Sequence, residues 1–300
     1  MDIVLSALLL GLQYAMLALG VYITFRVLNI PDLTVDGSFT LGAAVSAVLS
    51  VAGHPFLGLL AALVCGALAG GVTGFLQTKA GIHPILAGIL TMSGLYTVNI
   101  TIMGAPNVSL IGKPRFYDFV DTLLPNAGRD VPEILAVAVL CVAITALLIL
   151  FFRTVFGLCI RATGNNEDMV RASSINTNAT KITALCMANA LVGLSGALIA
   201  QTGGYADVNG GSGMIVVGLA SVIIGEVIFG KRSLTLGLIS AVVGSVVYRL
   251  IIALALESNV FSANALKLIS AVIVGITLAV PAMRTAVSRY RARKGAKRRA

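Results

Sequence analysis

The sequence predicts an all-α polytopic transmembrane bundle of about nine spans, some of them broken. Three observations carry this: 58% of the 300 residues are hydrophobic, only 11% are charged, and the apolar residues form runs of membrane-spanning length rather than isolated core segments. A soluble domain carries about one charged residue in four, so a water-soluble globule is excluded. A hydrocarbon core of about 30 Å takes roughly twenty helical residues, and a helix satisfies its own backbone hydrogen bonds there.

In chain order the spans fall at about 3–25, 38–53, 56–78, 84–103, 132–152, 180–201, 214–230, 234–256 and 264–283, with the second and seventh short. The first has no cation before it and meets Arg26 only at its end, which fits a retained span rather than a cleaved signal. Between the first two lies the polar break Asn29–Ser38, either an inner loop or a segment that re-enters the membrane. The third span repeats Gly66, Gly70 and Gly74 at four-residue spacing, a small-residue stripe for close helix packing. In the fourth, Met92, Tyr96, Asn99 and Met103 share one helical face, either a pathway lining or an interhelical contact. His54 and His83 each precede a proline at the edge of an apolar run and read as turn residues. The glycine-rich stretch Gly203–Gly213 follows no strand, so it reads as an irregular outer loop or half-helix break rather than a nucleotide cradle.

Charge sets the orientation. Eight of the 21 cations lie in residues 284–300; removing them leaves 13 against 12 acids, a net of +1. The chain thus divides into a membrane domain, 1–283, and a basic tail, 284–300, which beside a membrane is an anchor on anionic lipid rather than a nucleic-acid arm. With the tail inside, Arg26, Lys79, Arg153, Arg161, Arg171, Lys181, Lys231 and Arg232 all fall on its side, whereas Lys113, Arg115, Arg129, Arg249 and Lys267 fall outside or toward that end. The amino terminus is expected outside and the carboxyl terminus in the cytoplasm.

No GxxxxGK[ST] cradle is present, no cysteine pair or histidine cluster suggests a metal, and no cofactor is expected. The chain therefore reads as a non-enzyme that borrows its driving force. Glu226, near the inner end of the seventh span, is either a pairing or snorkelling group or an ion site. The inner connection 153–179 holds Gly164, Asn165, Asn166, Glu167, Asp168, Met169, Val170, Arg171 and Ser173, with Asn165 placed to cap a short amphipathic helix that Ile175–Asn176 ends. Met169 and Val170 on such a helix call for a partner.

That segment resembles the cytoplasmic coupling loop of ATP-binding-cassette importer permeases of the branched-chain amino acid and simple sugar type. Asn29–Ala43, "NIPDLTVDGSFTLGA", and Gly218–Gly230, "GLASVIIGEVIFG", are similar to two further motifs of that group, and the "PDLTVDGS" wording most resembles permeases for aromatic amino acids. The resemblance implies a homodimer in a bacterial inner membrane, each copy docking a cytoplasmic ATPase subunit and receiving a small solute from an external lipoprotein. Residues 164–171 and Ser173 would then contact the ATPase. Asp32, Thr34, Asp36, Ser38, Met92, Tyr96 and Asn99 are the candidates for the translocation pathway. The alternative is an ion-coupled secondary carrier, which would need a functional carboxylate in mid-membrane.

Overall fold

The computed structural model describes residues 2–123, 131–230, 233–257 and position 275. The expected ninth span, 264–283, and the basic tail lie outside the described residues, position 275 apart.

Among the described residues seven helices are long and apolar enough to cross a membrane. They are α1 (Asp2–Tyr22), prolonged by a π-helical turn at Ile23–Val27; α2 (Thr34–Val51); α3 (Pro55–Thr78); α4 (Pro84–Met103); α6 (Val131–Phe151); α9 (Thr177–Gly203); and α11 (Leu234–Glu257). The seventh expected span is α10 (Met214–Phe229), whose 16 residues reach about 24 Å and fall short of the hydrocarbon thickness. Shorter pieces sit at the two ends of the bundle. Strands β1 (Asn107–Ser109) and β2 (Tyr205–Asp207) pair antiparallel beside α5 (Phe116–Leu123), while α7 (Val155–Asn165) and α8 (Glu167–Ala172) lie at the other end. The 27 residues of α9, about 40 Å, separate the two ends.

Local chemistry sets the boundaries. His54 and His83 occupy the position before α3 and α4, each followed by a proline whose fixed φ suits the first helical turn. Thr154 and Asn176 cap α7 and α9 through side-chain oxygens that accept from Gly157 and Ala179 backbone N–H groups.

Helix α9 is the axis of the core. Residues 184–198 are buried almost without interruption. Added Cβ atoms at Gly66 and Gly70 of α3 would run into the backbone carbonyl oxygens of Asn189 and Leu185, so the glycine stripe permits backbone-to-backbone packing, as its spacing suggests.

Buried polar groups pair across this core. Gln13 of α1 donates to the Tyr117 hydroxyl at 2.8 Å and to Thr202, while Gln201 of α9 donates to Ser46 at 2.9 Å and accepts from Phe116 N at 2.7 Å. In a medium without water each such bond avoids the cost of an unsatisfied group.

The polar break resolves as a fold-back. Residues 28–33 turn into the bundle, where Asp32, 2% exposed, accepts from Asn189 Nδ2 at 2.8 Å and from Thr34 N at 2.9 Å. Asn189 lies twelve residues along α9, about 18 Å from its start. The second span therefore starts at Thr34 rather than 38, and Asp36 and Ser38 belong to a helix, not to the break.

Candidate functional site

Two places in the fold hold the residues singled out by sequence. The first is a cavity of ≈ 340 Å³ between α2, α4 and the turn that leads from β2 into α10. Asp36, Gly37 and Thr40 contribute from α2, Met92, Ser93, Tyr96 and Asn99 from α4, and Val208, Asn209, Gly211 and Ser212 from the turn.

Asp36 closes the wall by capping α10. Its Oδ2 accepts from Gly213 N at 2.9 Å and its Oδ1 from Ile215 N at 2.8 Å, so the carboxylate serves two of the N–H groups that a helix start leaves without partners. Thr40 Oγ1 accepts from Gly211 N at 3.1 Å and donates to the Asp36 carbonyl, one turn back. Gly213 holds a φ of +85°, which a side chain rarely tolerates, and an added Cβ at Gly211 would overlap the Asp36 carbonyl oxygen. The glycine-rich stretch is thus an irregular turn, held against α2, that carries β2 and leads into α10.

Asn99 is 1% exposed and donates from Nδ2 to the Gly37 carbonyl at 3.3 Å, while its Oδ1 meets no partner among the described residues. The Gly37 carbonyl fixes which way the amide faces, because the reverse orientation would oppose two acceptors. Met92 and Tyr96, 38% and 50% exposed, continue the α4 face.

Of the pathway candidates, the structure brings Asp36, Met92, Tyr96 and Asn99 together. Asp32, Thr34 and Ser38 do not line this cavity: Asp32 pairs with Asn189, Thr34 faces Thr73 at 2.7 Å, and Ser38 is fully buried. Met103, the fourth member of the α4 stripe, is buried in a separate apolar cluster. Thr40 and Ser93 were missed, although Thr40 stands one helical turn beyond Asp36 and Ser93 beside Met92. The Gly211–Ser212 wall, 175 residues from Asp36, has no local signal.

The second place is α8. Asn166, not Asn165, is its cap: the Asn166 Oδ1 accepts from Met169 N at 3.0 Å, and Asn165 completes α7. The helix stops at Ala172 rather than at Ile175, because Ser174 takes a φ of +62° and Asn176 turns to cap α9. Glu167 accepts from Arg171 at 2.8 Å and from Lys181 of α9, and Gly164 packs on the Val27 backbone at the π-helical turn. Val170 is 1% exposed and faces its own bundle, leaving Met169, 60% exposed, as the apolar group on offer. Beyond it, Glu226 of α10 pairs with Arg26, the pairing role.

Burial disfavours a charged Glu167, but the hydrogen bond and charge of Lys181, with Arg171, outweigh it and hold the carboxyl below the usual carboxylate range. A carboxyl with a lower pKa folded than unfolded adds stability above its unfolded pKa and loses it as pH falls through the folded value. The tie of α8 to α9 is therefore expected to persist in mildly acidic buffer and to loosen only below the ordinary carboxylate range. Hydrogen exchange across residues 166–173 checks this, and loosening already near neutrality would contradict it.

Over residues 3–284 the sequence matches the family described as branched-chain amino acid transport system / permease component. The chain belongs to this permease family. The permease is 36% identical over 272 residues, 90% of its length and 88% of the relative's, to the tyrosine transport system permease protein of Clostridioides difficile (strain R20291). It is 25% identical over 216 residues to the ribose import permease protein of Escherichia coli (strain K12), covering 70% of this chain and 65% of that one. PsaBC from Streptococcus pneumoniae, solved in complex with Fab, shares the fold: the TM-score is 0.53 at 14% identity, over 92% of this chain and 89% of that chain. The permease is accordingly the multi-span membrane component of an ATP-binding-cassette transport system for amino acids or sugars, and the ion-coupled carrier gives way.

Proposed function

We propose that the permease imports an aromatic amino acid such as tyrosine, working as a homodimer in which each copy docks one cytoplasmic ATPase subunit through α8 and receives solute from an external lipoprotein. The observation that carries the ATPase reading is Met169, an apolar side chain presented on a helix that is capped by Asn166 and tied by Glu167 to α9. A chain without a phosphate cradle receives force mechanically, and a rigid, doubly anchored helix can transmit it. Gly164, Asn165, Asp168, Arg171 and Ser173 surround that contact, whereas Val170 supports it from behind. The tyrosine relative supports the solute class. The orientation we propose is supported by charge: Arg26, Lys79, Arg153, Arg161, Arg171 and Lys181 stand at the α7–α8 end, which favours a cytoplasmic position for that end, with the amino terminus outside and the tail against inner-leaflet lipid.

Co-purification with the ATPase and solute-stimulated hydrolysis test the reading. Met169→Asp, which puts a charge where an apolar anchor must be buried, is expected to weaken ATPase association by about 1–4 kcal/mol while the permease still inserts. Wild-type association and hydrolysis in a Met169→Asp, Glu167→Arg double variant would overturn the docking assignment.

A further inference from the structure

We infer that the Arg26–Glu226 ion pair is the joint through which movement at α7–α8 reaches α10 and the wall of the α2–α4 cavity, which makes Arg26 and Glu226 positioning residues for transport. The inference rests on the proposed docking of the ATPase at α8 and names how that docking is felt at the cavity.

The contacts begin at the end of α7. An added Cβ at Gly164 would overlap the Val27 carbonyl oxygen, so α7 and the π-helical turn touch backbone to backbone with no flexible side chain between them. Asn166, which caps α8, follows two residues later. A displacement of α8 is therefore pressed onto Ile23–Val27. That turn differs from the helix it prolongs: Leu28 N reaches back five residues to the Ile23 carbonyl at 2.9 Å, a geometry that is rare in helices and recurs at functional sites. It carries Arg26, which pairs with Glu226 of α10. The Glu226 side chain is 10% exposed and that of Arg26 29%, so the pair is shielded from the solvent that weakens surface pairs.

From Glu226 the route runs along one rigid element. Glu226 and Ile215 are eleven residues apart in an unbroken helix, about 16 Å. Beyond Ile215, the Asp36 carboxylate holds the start of α10, and Gly211 and Ser212 stand on the cavity wall. The facing wall belongs to a different packed unit. There α2 is locked to α9, because added Cβ atoms at Gly42 and Gly196 would overlap the carbonyl oxygens of Gly193 and Phe39. Helix α10 is locked to α11 in the same way, with Gly225 and Gly244 against the Ser240 and Ser221 carbonyl oxygens. Units packed this closely transmit strain rather than absorb it. A shift delivered to Glu226 thus moves α10 with α11 and changes where its start stands relative to α2.

The test is hydrogen exchange on the purified permease–ATPase complex in nanodiscs, nucleotide-free and trapped with ATP and vanadate, read at both ends of the route. In the unaltered complex, trapping is expected to change exchange across residues 166–173 and across residues 211–216. In Glu226→Gln and in Arg26→Gln the response across 166–173 is expected to remain, while that across 211–216 falls about twofold or more. Arg26→Lys, which keeps a cation opposite Glu226, is expected to retain it. An unaltered complex that responds across 166–173 but not across 211–216 would overturn the joint, and this arm needs no substitution. A full response across 211–216 in both glutamine variants would overturn it as well. So would a loss in Arg26→Lys equal to that in Arg26→Gln, which would assign the effect to packing rather than charge. An unaltered complex with no response across 166–173 would instead refute the docking at α8, and the joint with it.

Discussion

Gly66→Leu or Gly70→Leu is expected to cost the permease its folded state rather than merely its activity. At both positions the first added carbon meets a backbone carbonyl oxygen of α9, Asn189 in one case and Leu185 in the other, and a backbone atom inside a helix cannot swing aside. The helices must then separate. Separation strains the Asn189–Asp32 hydrogen bond and with it the fold-back that positions the start of α2. Overpacking a tight core costs about 1–3 kcal/mol and occasionally more, and the exposed polar pair adds the cost of a buried hydrogen bond, so a loss of roughly 3 kcal/mol or more is anticipated. Thermal unfolding in detergent, followed by size exclusion, measures it. Gly94→Leu is the control: nothing lies within 4 Å of an added Cβ there, and its melting temperature should match that of the unaltered chain. Equal melting of all three variants would show that the α3–α9 contact carries no stability.

The fold was legible in the sequence where one local property decides it. Length and apolarity give the spans, and four-residue glycine spacing gives the α3 face, because helical periodicity converts spacing directly into geometry. The cap expected at Asn165 falls instead to Asn166, because α7 runs through Asn165 and leaves only the next residue extended. Gln13 and Gln201, polar residues inside apolar runs, drew no expectation from the sequence, and the identity of their partners depends on residues up to 189 positions away. The candidate site divides the same way. The α4 stripe of Met92, Tyr96 and Asn99 follows from spacing, while the role of Asp36 does not, because its partners lie 177 and 179 residues further along. Val170 was misread for a related reason: amphipathicity identifies an apolar residue but not which of two apolar surroundings, its own bundle or a partner, receives it.

Asp36→Ala is expected to unseat α10 and abolish solute uptake. The substitution removes both acceptors at once, from the exposed Gly213 N and from the half-buried Ile215 N. Loss of a cap costs about 0.5–2 kcal/mol, and that range is anticipated here. That energy acts locally, because α10 remains held at its other end by the Arg26–Glu226 pair and along its length by contacts with α1 and α11. The chain should therefore insert and retain its ATPase while backbone exchange rises across residues 211–216 and uptake in reconstituted vesicles falls to background. Asp36→Asn, which keeps one oxygen acceptor and loses the charge, should fall between the two in exchange. It should nonetheless resemble Asp36→Ala in uptake if the charge also faces the solute. Unaltered exchange across 211–216 in Asp36→Ala would show that α10 holds its position without the cap, and unaltered uptake would remove Asp36 from the pathway.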